Sequence, residues 1–279
     1  MFLKSRRIMT MLGIAGIIAA AAFGAQAADE NVLMMATTTS TDNTGLLDYL
    51  MPKFTESTGI EVRWTATGTG KALKLGENCD VDVLMVHAPG AEMQFVQAGF
   101  GKDRREIMYN DFVIIGPAKD PAGIKGKSIK AALQAVKSRQ AAFVSRGDNS
   151  GTHKKELSLW KAADLPVPDK ENWYIQTGQG MLATINVAAE RDGYTMTDRG
   201  TYIKYEDTRA GNPPLKILVE GDQVLLNQYS VIAIDPKHCA NAKYDLATRF
   251  TAWITGPQAQ QAIQEFKLLG KQLFTPNAK

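Results

Sequence analysis

The sequence predicts an α/β fold in two lobes, and three observations carry that reading. Short apolar runs at 31–36 (NVLMMA), 61–66 (EVRWTA) and 81–86 (VDVLMV) alternate with stretches of helical periodicity. Strand, loop and helix in repetition is the signature of a parallel sheet covered by helices. The pattern restarts beyond Pro117, and YSVIAI at 229–234 can carry the chain back. Two lobes joined by two crossing strands account for this layout; one larger sheet is the alternative.

Taken in order, the first residues stand apart. Lys4, Arg6 and Arg7 precede an apolar run from Ile8 to Phe23, and Ala25-Gln26-Ala27 then supplies a small-x-small cleavage pattern. This reads as an export signal at 1–27, cleaved near Ala27, rather than as a membrane anchor. After the strand at 31–36, a Thr/Ser-rich loop spans 37–44. Leu46, Leu47, Leu50 and Phe54 then recur at helical spacing, and Gly59 stands at the usual stop position. The second strand leads into Gly68-Thr69-Gly70 and a short helix through Leu75. The third ends at His87-Ala88-Pro89.

The unit changes around Tyr109–Pro117, where Asp111–Ile115 is strand-like and Gly116-Pro117 is expected to stop it. The second set comprises a strand at 141–145 and helices at 151–163 and 181–189. The strand at 229–234 and a terminal helix at 250–269 follow. We therefore expect lobe I at 28–109 and 230–279, with lobe II and the crossover segments at 110–229. At 279 residues the chain has material for two ordinary domains.

The formal net charge at pH 7 is +3, but Lys4, Arg6 and Arg7 belong to the expected signal. Without them 29 basic residues face 29 acidic ones. A neutral chain does not have the basic surface of a nucleic-acid binder. Cys79 and Cys239 can form one disulfide, which export permits, or remain two buried thiols. Neither has a metal-site partner at the right spacing, and no metal site is expected.

Three loops share one design, an apolar strand followed by hydroxyls or glycines and then a helix: Thr37–Thr41 (with Thr39, Ser40 and Thr41), Gly68-Thr69-Gly70, and Ser150-Gly151-Thr152. In a parallel sheet such loops meet at one crevice, with helix N-termini pointing N–H groups into it. Arg146 adds a permanent cation beside the third loop, so the set suits a tetrahedral oxyanion. Asp148 is a natural partner that would fix the guanidinium. Gly178-Gln179-Gly180-Met181 is either a helix start near the crevice or a tight turn.

Catalytic patterns are thin. Gly70-Lys71 fails as a phosphate-binding P-loop, because Thr65 and Ala72 occupy its required Gly and Ser/Thr positions. Ser150 lacks a nucleophile elbow, and His87, His153 and His238 form no pair. No catalytic residue and no cofactor are expected.

The motifs Thr37–Ser40, Gly68–Leu73, Asp82–Pro89 (DVLMVHAP), Asn110-Asp111-Phe112, Ser145–Thr152 and Gly178–Met181 occur in an order that runs over essentially the whole mature chain. In this the chain resembles the periplasmic tungstate-binding proteins of ABC importers. The resemblance implies a type II, two-lobed periplasmic binding fold closing around one oxyanion, tungstate or molybdate. It also implies a membrane permease with its ATPase as partners, and we expect a monomer. It assigns the donors as Thr39, Ser40, Thr41 and Thr69 from lobe I and Arg146, Ser150, Gly151 and Thr152 from lobe II. Gly68, His87 and Gly180 are further candidates. Phosphate-binding relatives keep an Asp before the Ala-Pro, where this chain has His87, and an Asp there accepts the proton of hydrogen phosphate. Its loss favours a fully deprotonated dianion, toward which His87 could donate. Another oxyanion such as phosphate or sulfate, or a secreted phosphoester or sulfate-ester hydrolase, are the alternatives.

Overall fold

The computed structural model describes residues 30–279, so the expected export signal at 1–27 lies outside the described residues. The first sheet is built on β1 (Val32–Thr38), β2 (Glu61–Thr67) and β3 (Val83–Val86), and β1 pairs parallel with both neighbours. Along these strands alternate side chains enter opposite cores, as a pleated strand requires. Leu33, Met35, Val83 and Met85 face a core that includes Phe54 and Phe250. Ala36, Leu84 and Val86 face a second one around Phe95.

The helices between them follow their apolar spacing. A short α1 (Thr39–Asp42) and α2 (Leu46–Thr58) follow β1; α3 (Thr69–Glu77) follows β2, and α4 (Pro89–Gln97) follows β3. The expected loop at 37–44 is therefore the end of β1, a single helical turn and a bend. Thr37 and Thr38 are drawn into the strand by register with Ala66 and Thr67.

The sheet is mixed rather than wholly parallel. β4 (Gly101–Pro117) and β9 (Leu226–Ile234) run antiparallel to each other, and β9 runs antiparallel to β3. Gly116-Pro117 does end β4 as expected, but the strand begins ten residues before Asp111. Through Asp111, β4 pairs with β9. From Phe112 it pairs with β7 (Thr195–Asp198), and from Ile114 also with β8 (Leu215–Val219). Its side chains change core at the same point. Ile107 and Met108 pack with the first sheet, Phe112 and Ile114 with Phe143 and Trp160, and Val113 and Ile115 with Val144 and Ile185. One strand thus threads both lobes, and β9 runs beside it.

The second lobe adds α5 (Ile129–Arg139), β5 (Phe143–Ser145), α6 (Gly151–Ala162), β6 (Tyr174–Gln176), α7 (Met181–Glu190) and α8 (Arg199–Asp207). β5 and β6 are parallel, and a bridge from Phe143 to Tyr194 ties them to β7. α8 leans on the first sheet, with Ile203 in its core and Lys204 donating to the carbonyl of Asn43.

The expected terminal helix at 250–269 is two helices, α9 (Tyr244–Ile254) and α10 (Pro257–Glu265), followed by a small hairpin of β10 (Lys267–Leu268) and β11 (Lys271–Gln272). Pro257 has no N–H for a continuing helix and opens a new one instead. Gly270, at φ 78°, makes the hairpin turn. A final strand, β12 (Thr275–Pro276), pairs with β4. Cys79 and Cys239 form a disulfide, which settles the alternatives left open by the sequence.

Candidate anion-binding site

The C-terminal ends of β1, β2, β3, β5 and β6 open on one cleft of about 1190 Å³ between the lobes. Thr39, Ser40, Gly68, Thr69 and His87 line it from one side, and Arg146, Ser150, Gly151, Thr152 and Gly180 from the other. Thr41 is the exception among the expected residues. Its side chain is fully buried, 2.7 Å from the hydroxyl of Thr38, so it stands behind the cleft wall and orients Thr38.

Helix starts supply much of the wall. α3 and α7 begin at Gly68 and Gly180, neither of which offers a side-chain cap, so their first N–H groups face the cleft without a protein acceptor. α6 is capped by Ser150, whose Oγ accepts the N–H of His153 at 3.3 Å. The Ser150 hydroxyl also lies beside Asp148, so the carboxylate and a ligand share access to its one proton.

Arg146 is held in a fork. Its Nη2 donates to Asp148 and its Nε to the Gln179 carbonyl at 3.3 Å. Asp148 also accepts the N–H of Ser150 at 3.1 Å. Burial pushes the Asp148 carboxyl up, but the hydrogen bonds from Ser150 and the charge of Arg146 outweigh it and hold the pKa below the usual value. Asp148 therefore stays ionised and spent on these partners, as the supporting role requires. Gly147 cannot carry a side chain here: its φ is 61°, and a Cβ would lie 2.8 Å from that of Gln176.

His87 sits in a polar chain that the sequence did not disclose. Its Nδ1 lies 3.0 Å from Asn227 Oδ1, while Asn227 Nδ2 donates to Asn110 Oδ1 at 2.8 Å. The Asn227 oxygen is thus an acceptor, and His87 Nδ1 must carry the proton. In the neutral ring Nε2 is then an acceptor, 3.0 Å from the Thr38 hydroxyl and 3.1 Å from that of Ser40. Both ring nitrogens are engaged by protein groups. Asn110 and Asn227 face each other on the two crossover strands, and only tertiary pairing brings them to His87.

Burial lowers the His87 pKa from 6.5, against smaller opposing effects of the Asn227 hydrogen bond and the Asp198 charge. The folded chain then binds fewer protons at this site than the unfolded one. The associated stability is present above about pH 6.5 and is lost as pH falls toward the lowered folded value. Melting temperatures from pH 7.5 to 5 should show this loss in the wild type and a shallower slope in His87→Gln. Parallel slopes would exclude His87 as its source.

Two buried carboxylates stand behind the loops. Glu156 accepts from Ser145 Oγ at 2.5 Å, Tyr174 OH at 2.6 Å and Trp160 Nε1 at 3.1 Å, and Ser145 Oγ in turn accepts the N–H of Gly147. Glu92 accepts the N–H of Ala88 at 2.5 Å and Arg104 Nε at 2.8 Å. Each fixes the backbone of one ligand-facing loop.

Gly151 faces lobe I across the cleft. A Cβ there would lie 3.7 Å from both His87 Cε1 and Thr69 Oγ1. That is ordinary contact, so Gly151→Ala should fold normally. It would fill the space between the two donor sets and weaken anion affinity roughly tenfold, the cost of a 1–2 kcal/mol overpacking strain. Unchanged calorimetric affinity would show that the ligand does not sit between these faces.

Facing lobes that present helix starts, hydroxyls and one guanidinium to a shared cleft define a two-lobed solute-binding protein of the type II periplasmic class. The chain belongs to the PBP superfamily: the model of the PBP superfamily domain matches residues 24–258. It is similar to the solved tungstate-binding protein TupA of Desulfovibrio alaskensis G20, with 68% identity and a TM-score of 0.86 over 89% of this chain and 99% of that one. The solved structure described as the tungstate ABC transporter from Geobacter sulfurreducens is 47% identical, with a TM-score of 0.75 over 85% and 99% of the two chains. The tungstate-binding protein TupA of Campylobacter jejuni is 52% identical over 240 residues, 86% of this chain and 89% of that protein.

Proposed function

We propose that this chain captures tungstate, with molybdate as a close competitor, in the interlobe cleft and delivers it to the permease of an ABC importer. It works in the periplasm as a monomer after removal of the signal at 1–27, and it binds its anion without transforming it. Lobe I comprises 28–109 and 230–279 and lobe II comprises 110–229; the change of β4 pairing between Asp111 and Phe112 supports this division. Thr39, Ser40 and Thr69 donate from lobe I, and Arg146, Ser150, Gly151 and Thr152 from lobe II, with first-turn N–H groups at Gly68 and Gly180.

The observation that carries this reading is the approach of the α6 start, beside Arg146, to Thr69 and His87. An anion placed there bonds to both lobes at once and so favours the closed state through contacts that the open state lacks. Hydrogen bonds to a charged group contribute roughly 1.5–3 kcal/mol each. A handful is enough for sub-micromolar affinity, which needs about 8 kcal/mol, once closure is offset.

Titration calorimetry with tungstate, molybdate, sulfate and phosphate is the test. Sub-micromolar binding of tungstate and molybdate, with phosphate far weaker, is expected. Equal or tighter phosphate binding would sink the metal-oxyanion reading, and turnover of a phosphoester that vanished in Ser150→Ala would replace binding by catalysis.

A further inference from the structure

The cleft contains a cation that the donor set above does not use. Lys155 lies four residues after Gly151, on the face of α6 that lines the cleft. Its Nζ donates to the carbonyl of Leu226 at 3.2 Å and stands 5.9 Å from the ring centre of Phe112. Leu226 opens β9 and Phe112 lies on β4, so the ammonium sits at the cleft floor, against both crossover strands. The next residue, Asn227, is the one that holds His87.

Among the described residues Lys155 has no counter-charge. The other charged side chains of the cleft lining are Lys71, Arg146, Asp148, Lys154, Asp198 and Lys204. Both acids are spent elsewhere: Asp148 pairs with Arg146, and Asp198 caps α8 through the N–H and hydroxyl of Thr201 at 2.9 and 2.7 Å. Burial lowers the Lys155 pKa, and no acidic neighbour opposes it. A partly buried ammonium with two donors unused and no anion beside it is costly to keep. Arg146, by contrast, already has its charge matched by Asp148.

We propose that Lys155 is the second cation of the anion site, supplying the charge that makes the cleft prefer a dianion over a tetrahedral monoanion of the same shape. This rests on the capture reading above. The ammonium keeps its bond to Leu226 and turns its free donors to the ligand. That bond ties α6 to the start of β9, so the ammonium is already held at the cleft floor before the ligand arrives.

Perrhenate, a tetrahedral monoanion close to tungstate in size, isolates the charge. Calorimetry on the full mature chain should show that Lys155→Met lowers tungstate affinity by about 30-fold or more, as truncating one member of a buried charge pair does, while perrhenate affinity changes little. Lys155→Arg should retain the tungstate preference, and Lys161→Met, which removes an equal charge outside the cleft, should match the wild type. Equal losses for the two anions, or no loss, would overturn the proposal. If Lys155→Met does not fold, the ammonium ¹⁵N signal of Lys155 in the wild type decides: its pKa should rise with tungstate and rise less with perrhenate, and an unmoved pKa overturns the role. Wild-type protein that binds no tungstate would instead overturn the capture reading itself.

Discussion

Arg146→Ala is expected to weaken tungstate binding by about 100- to 1,000-fold, roughly 3–4 kcal/mol, within the range for truncating one partner of a hydrogen-bonded charge pair. Two effects act together. The ligand loses a guanidinium whose fork is already fixed by Asp148 and the Gln179 carbonyl. Asp148 then remains beside the site as an unmatched carboxylate that repels the incoming anion. Arg146→Lys should recover part of the loss, because it restores the charge but not the planar fork. Folding should survive both changes, since the side chain sits on a loop at the cleft rather than in a core. Calorimetric titration alongside melting curves checks this. A loss below tenfold in a folded Arg146→Ala protein would remove Arg146 from the site.

The second large effect concerns stability and leaves binding alone. The Cys79–Cys239 bridge has a sequence separation of 160 residues, a span that includes the whole of lobe II. Closing so long a loop restricts the unfolded chain, and the chain-entropy relation gives about 5 kcal/mol for it. Cys79→Ala with Cys239→Ala should therefore lower the melting temperature by roughly 10–20 °C for a chain of this size. Neither cysteine lines the cleft, so tungstate affinity measured well below the transition should match the wild type. A melting temperature within about two degrees of the wild type would show that the unfolded state is already restricted by other means.

The parts of this design that local chemistry dictates were legible in the sequence. β1, β2 and β3 follow from their apolar runs, and the hydroxyl loops from turn residues placed just before helical periodicity. Those loops brought Thr39, Ser40, Thr69, Arg146, Ser150, Gly151 and Thr152 to one cleft. What pairing creates was not legible. The first half of β4 carries Lys102, Asp103, Arg104, Arg105 and Glu106, a composition that reads as loop until β9 supplies a partner strand. The short strands at 195–198 and 215–219 likewise exist because β4 lies between them. Thr41 looked equivalent to Ser40, but one helical turn puts it behind the wall. Asn227, Glu156 and Lys155 carry no local motif. Each becomes informative only through a partner distant in sequence or, for Lys155, through the absence of an acid.

One tetrahedral dianion is expected to sit between the α6 start and the Thr69–His87 face. A crystal of the tungstate complex, measured at a tungsten absorption edge, tests it most directly. A single anomalous peak is expected within hydrogen-bonding reach of Ser40, Thr69, Arg146 and the Ser150–Thr152 turn. A peak elsewhere, or a tungstate-saturated crystal with no peak in the cleft, would contradict it.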